Sequence, residues 1–228
     1  MDGVCTWKMD NNQTGIQLMQ EGKWEEAAKA FMEEIEANPK DPVAYINFGN
    51  VLSAVGDPEK ALKFFRKAIE LGGGGAAYYS AGALCYEKEQ FEDAKNMFEK
   101  AIKEGLHTCD NYFMLGMSLV NLGNSRLALP YLQRSVELNE KDSEALFQYG
   151  LCLAQQELLD EAIEQLNKCI EIEPEHADAY YNLGVAYAFK DNKSEAIAML
   201  EKALQIQPDH SLAANTKKII ETADEQLH

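Results

Sequence analysis

The sequence predicts an all-α chain of six stacked helix–turn–helix repeats, and three observations predict it. The first is a ladder of glycines, Gly15, Gly49, Gly82, Gly116, Gly150 and Gly184, spaced 34, 33, 34, 34 and 34 residues apart. Each sits in an apolar, aromatic-rich window. Glycine inside a helix costs about 1 kcal/mol relative to alanine, so six in step argue for one recurring need, the close approach of a neighbouring helix. The second is a ladder of alanines, Ala27, Ala61, Ala94, Ala128, Ala162 and Ala196, each 12 residues after its glycine. It reads as the small residue on the partner helix, letting two axes approach to about 8 Å. The third is the period itself, since a repeat near 34 residues is that of a helix–turn–helix unit that buries its apolar face only against its neighbours.

With the ladder glycine at position 8, the repeats run 8–41, 42–74, 75–108, 109–142, 143–176 and 177–210. Residues 1–7 are a lead-in, with Trp7 covering the first repeat. That repeat places helix A at about 9–21 and helix B at about 24–37. Gly22, Gly56 and Gly123 fall at position 15, where a left-handed residue ends a helix. Asp41-Pro42 and Asp57-Pro58 each set a capping acid before a first-turn proline. One residue is missing between 69 and 82, where Gly72-Gly73-Gly74-Gly75 replaces the usual turn. That run is either a turn one residue short or a hinge between repeats 1–2 and 3–6. Pro130 falls inside helix B of repeat 4 and should kink it or delay its start. Residues 211–228 repeat the helix A pattern with Lys217 and Lys218 at core positions, which suits a terminal capping helix with one wet side.

Other columns hold at the same time. Position 4 carries Tyr45, Tyr78, Tyr112, Leu146 and Tyr180; position 24 carries Phe31, Phe65, Phe98, Leu132, Leu166 and Leu200. Position 27 is small at Ala68, Ala101, Ser135, Cys169 and Ala203, and position 32 is proline at Pro39, Pro174 and Pro208. These columns resemble the tetratricopeptide repeat (TPR) family over nearly the whole chain. The Leu127-Ala128-Leu129-Pro130-Tyr131-Leu132 run is similar to the small six-repeat TPR proteins of Bacillus-type bacteria, the YrrB type. The resemblance implies a right-handed superhelix of α-hairpins in the cytoplasm, without an established activity. Repeat 1 departs with Asn11 at position 4 and Glu34 at position 27, as for an end repeat facing water.

The 228 residues are 46% apolar and carry a formal net charge of −17. Such a surface repels phosphate backbones and anionic lipid, and so argues against nucleic acid and membrane as partners. Five cysteines without a Cys-x-x-Cys pair fit free thiols in a reducing compartment. No apolar run reaches the ~18–20 residues of a membrane span, and the first residues lack the apolar core of a signal peptide.

Chemistry is scarcely signalled. No phosphate-loop, zinc-protease, nucleophile-elbow or EF-hand pattern occurs, and no cofactor or metal is expected. His176 and His210 share position 34 in successive repeats and read as helix-entry residues, since stacked repeats lie about 10 Å apart or more and one zinc draws its ligands to about 2 Å.

The informative surface is the one the resemblance makes concave, lined by helix A positions 2, 5, 6, 9 and 12. Repeats 3–6 present there an apolar and aromatic series: Tyr79, Tyr86, Phe113, Met117, Phe147, Leu151, Tyr181 and Val185. Such a strip marks an interaction site if exposed, and is plain packing if neighbouring helices cover it. Asn47, Gln148 and Asn182 at position 6, with Asn50 at position 9, form an interrupted amide ladder that some family members use to hold a peptide backbone. The carboxylate clamp of the Hsp70/Hsp90 co-chaperones is absent, because position 2 reads Met9, Val43, Ala76, Asp110, Glu144 and Asp178. The expectation is a non-catalytic, monomeric scaffold that binds a peptide or a basic amphipathic helix of another protein. The alternative is a module whose self-association is its function.

Overall fold

The structure is a computed structural model and describes residues 10–225. The lead-in 1–7 with Trp7, and also Cys5, Met9 and His228, lie outside the described residues. Thirteen α-helices and no strand occur among those described. They are α1 (Asn11–Gln20), α2 (Trp24–Ala37), α3 (Pro42–Ala54), α4 (Pro58–Glu70), α5 (Gly74–Glu87), α6 (Phe91–Lys103), α7 (Cys109–Asn121), α8 (Ser125–Leu138), α9 (Ser143–Gln155), α10 (Leu159–Ile172), α11 (Ala177–Phe189), α12 (Lys193–Ile206) and α13 (Ser211–Glu225). None is long and apolar enough to cross a membrane.

Each odd helix packs along the even helix that follows it. Helices of such length joined by so short a turn can pack along each other only if antiparallel. The chain divides into two compact units, one ending at His107 and one beginning at Thr108. Within the first, α2 packs on α3, α4 on α5, and the odd helices touch one another; within the second, α8 packs on α9, α10 on α11 and α12 on α13.

The ladder glycines show why the repeat exists. A Cβ on Gly49 would lie 2.5 Å from the Phe65 ring, and one on Gly150 would lie 2.9 Å from Leu166 Cγ. Glycine at position 8 therefore makes room for the side chain at position 24, where the spacing had suggested the alanine at position 20. Those alanines are fully buried beside it.

All six odd helices before α13 end in a Schellman motif. In the first, Gly22 N–H reaches the Met19 carbonyl and Lys23 N–H the Leu18 carbonyl. The left-handed residue is glycine in three of them, at Gly22, Gly56 and Gly123. Glu89, Glu157 and Asp191 take the same conformation at φ 57°, 61° and 58°, at a cost of about 1 kcal/mol each.

The four-glycine run is a tight turn at Gly72 and Gly73 followed by the first two residues of α5. Gly72 (φ 82°) closes a Schellman motif on α4, and a Cβ on Gly75 would meet Leu106 Cβ at 2.5 Å. α4 packs on α5 across it, and the boundary between units falls after His107. Two other expectations are corrected. α8 does not start late: it begins at Ser125 and runs on through Pro130, which stays exposed. Glu34 does not face water but is 7% exposed, its carboxylate accepting from Asn38 Nδ2 at 2.6 Å. The turn after α2 folds Asn38 back onto the charge, which keeps it hydrogen-bonded as it is buried.

The last helix is one-sided. Ala213 is fully buried and Ile220 packs on the Tyr180–Leu200–Ala203 cluster, while Leu212 and Ile219 are exposed. Lys217 reaches back to Glu201 at 2.6 Å.

Candidate functional site

The predicted site residues divide between the units. Asn47, Asn50, Tyr79 and Tyr86 belong to the first; Phe113, Met117, Phe147, Gln148, Leu151, Tyr181, Asn182 and Val185 belong to the second. All twelve are half-buried, neither core nor fully solvated. Their helices explain this. Positions 5, 6, 9 and 12 flank the buried stripe of each odd helix, so each side chain rests one edge on the core and turns the other outward.

In the first unit, Asn50 and Tyr79 come together. They line a cleft of about 310 Å³ between α3 and α5, with Ser53, Ala83 and Glu87 on its walls and Phe65 beneath. Tyr79 leans on Phe98 with ring centroids 5.7 Å apart, and Tyr86 sits edge-on to Phe91 at 5.3 Å. Asn47 Nδ2 points to Asn12 Oδ1 at 3.5 Å, and Asn12 in turn donates to Asp41 at 3.0 Å.

In the second unit, Phe147 and Tyr181 are held by histidines. The Phe147 ring lies 4.5 Å from the His176 imidazole, and Tyr181 lies 5.1 Å from His210. Both histidines are N-caps: His176 Nδ1 accepts from Ala179 N–H at 3.2 Å, and His210 Nδ1 from Ala213 N–H at 3.1 Å. With Nδ1 accepting, the ring proton sits on Nε2, which in His210 faces Asp178 Oδ1 at 3.1 Å. The histidines at position 34 are thus helix-entry residues, and they also set the rings at position 5.

The amides are partly committed within the chain. Gln148 Nε2 donates to Glu144 at 2.9 Å, and Asn182 Nδ2 to the Asp178 carbonyl at 2.8 Å. Phe189, at position 13, was not among the predicted residues, yet it is 77% exposed and extends the apolar face of α11. Its signal in the sequence was an aromatic in a column otherwise filled by Gln20, Ala54, Glu87, Asn121 and Gln155.

A larger cavity, of about 540 Å³, lies on the other side of the second unit, between α8 and α10. Leu146 and Tyr149 floor it, Glu137 and Lys168 stand at its mouth, and none of the predicted residues lines it. Glu137 is tied to Arg134 at 2.9 Å and Lys168 to Glu164 at 2.6 Å, each pair lying along its own helix. Burial, then the carboxylates of Glu137, Glu161 and Glu164, push the Tyr149 phenol up.

Tetratricopeptide repeat family models match residues 30–63 and 142–209, and the model for subunit 3 of the anaphase-promoting complex, cyclosome, matches 87–169. The crystal structure of YrrB, described as a TPR protein with an unusual peptide-binding site, is 52% identical, with a TM-score of 0.80 over 84% of this chain and 99% of that one. Among curated proteins, the TPR repeat-containing protein YrrB of Bacillus subtilis is 54% identical over 41 residues, covering 18% of this chain and 20% of its own length. Anaphase-promoting complex subunit 3 of Schizosaccharomyces pombe is 30% identical over 112 residues, 49% of this chain. Its match spans 17% of that protein, so the chain covers a fifth or less of these two curated relatives.

Proposed function

The chain belongs to the tetratricopeptide repeat family, a non-catalytic scaffold family, and on that premise we propose that it binds a peptide or an amphipathic helix of another protein on the face of its odd helices. One observation carries the reading. Phe113, Met117, Phe147, Leu151, Tyr181 and Val185 are large apolar side chains that the fold leaves half-covered on one face of α7, α9 and α11. Large apolar side chains left half-covered at the same positions of three successive odd helices are the kind of surface that marks an interaction site. The 52%-identical YrrB is described as having an unusual peptide-binding site, which supports peptide binding as the activity. Asn182 and Gln148 keep carbonyl oxygens for a ligand backbone, and the cleft at Asn50 and Tyr79 offers a second, smaller contact. The reading includes six repeats over 8–210, a cap over 211–228 and a cytoplasmic setting.

The test is a paired capture from host lysate with the wild type and a Phe113→Ala, Phe147→Ala, Tyr181→Ala variant, the two matched for helicity by circular dichroism. A protein retained by the first and lost from the second supports the face. Equal retention by both refutes it. No specific retention by either, with concentration-dependent light scattering, makes self-association the function.

A further inference from the structure

Three odd helices of the second unit carry a carboxylate three residues before an aromatic ring: Asp110 and Phe113 on α7, Glu144 and Phe147 on α9, Asp178 and Tyr181 on α11. Residues three apart share a helix face. The three carboxylates are exposed and the three rings half-buried. The partners of the acids within the chain are the Cys109 thiol for Asp110, the Gln148 amide for Glu144 and the His210 imidazole for Asp178, and none is a lysine or arginine. No lysine or arginine occupies positions 2, 5, 6, 9 or 12 in these three repeats. In the first unit the matching described pairs are Val43 with Ile46 and Ala76 with Tyr79, so the pattern is confined to the second.

We propose that these acid–ring pairs are three copies of a receptor for a cationic side chain, and that the occupant of this face is a partner segment with lysine or arginine spaced to match the repeats. This rests on the scaffold reading above and names the partner's chemistry. A carboxylate attracts the cation and the adjacent ring face receives it. Carboxylates at the first turn of a helix also favour the helix dipole, but that role asks for no aromatic ring three residues on. Of these helices α9 and α11 touch; packed helices lie about 10 Å apart, a distance that a polyproline II chain covers in about three residues with every third side chain on one side. A partner segment with a basic residue at every third position and apolar residues between meets the acids and the rings together.

The experiment is fluorescence anisotropy on the full chain. The probe is a labelled synthetic peptide with arginine at every third position and leucine or alanine elsewhere. Saturable binding is expected, weakened about five-fold or more when citrulline replaces arginine. Asp110→Asn with Glu144→Gln should weaken it similarly, and so should Phe147→Leu, which keeps the bulk but removes the ring. Glu33→Gln with Glu36→Gln removes two exposed charges from α2 and should leave binding unchanged. If that pair weakened binding equally, or if a peptide with the same arginines clustered bound as well, the attraction would be to net charge and the proposal would fall. If the citrulline peptide bound as tightly, and lost binding with Phe113→Ala and Phe147→Ala, the scaffold face would stand and the cation receptor would fall. Binding of neither peptide would overturn both.

Discussion

In the first unit each ladder glycine faces a phenylalanine, Phe31, Phe65 or Phe98; in the second each faces a leucine, Leu132, Leu166 or Leu200. The nearest approach of an added Cβ is 2.5 Å at Gly15 and Gly49, 2.8 Å at Gly82 and 2.7–2.9 Å at Gly116, Gly150 and Gly184, so the contrast lies in the shape of the facing side chain more than in the distance. A flat ring lies close against bare backbone and has little room to turn. A branched aliphatic end can rotate aside. The same repeat thus tolerates change differently in its two halves, and the half with the softer packing is the one that carries the acid–ring pairs and the histidine caps.

The largest expected effect breaks this contrast directly. Gly49→Ala should cost about 3 kcal/mol and Gly150→Ala about 1 kcal/mol in guanidinium unfolding, because only the leucine can yield. Adding Phe65→Leu should recover much of the Gly49→Ala loss; no recovery would show that the backbone, and not the ring, sets the limit. Next, His176→Ala should destabilise the second unit by about 1 kcal/mol through the lost cap and shift the near-ultraviolet signal of the ring it touches. His176→Asn should restore stability but not that signal. A smaller gain should come from Glu157→Gly in the second unit and Glu89→Gly in the first, each adding up to about 1 kcal/mol by relieving a left-handed residue. An unchanged or lower melting point would mean that the added freedom of the unfolded chain outweighs the relief.

The smallest effect concerns thiols. Burial pushes Cys152 up to about 11 and Cys169 up to about 12. A thiol raised above its ordinary value of 9.0 contributes stability in full below that value and loses it as pH climbs toward the folded value. Stability should therefore fall between about pH 9 and pH 12, less steeply in a Cys169→Ala chain. At pH 8 iodoacetamide should label the half-exposed Cys109 before either, as read by mass spectrometry; equal rates would contradict their burial.

The helices and the ladder were legible because glycine, alanine and the apolar columns report packing that recurs in every repeat. The position-15 turns were legible only where glycine stands. Glu89, Glu157 and Asp191 take the same left-handed conformation, and no local feature marks an acid as strained. Glu34 misled because its burial depends on Asn38 folding back from the turn, a contact between two polar residues that no hydrophobic pattern records. For the candidate face, the columns were legible but their half-burial was not, since both a packed stripe and an open one read as the same apolar residues. The second role of His176 and His210 was hidden as well: a cap is visible in the spacing, but the ring it touches belongs to the start of the repeat that it ends.

The glycine run 72–75, half turn and half start of α5, affects how the chain acquires its structure. Within each unit the helices touch only their near neighbours in sequence, so contacts are local and folding should be fast and able to spread from any repeat. Four successive glycines give the unfolded chain more conformations to lose there than at any other inter-repeat turn. Propagation between α4 and α5 should therefore be the slowest step along the first unit, a kinetic bottleneck at a joint that is as closely packed as its neighbours once formed.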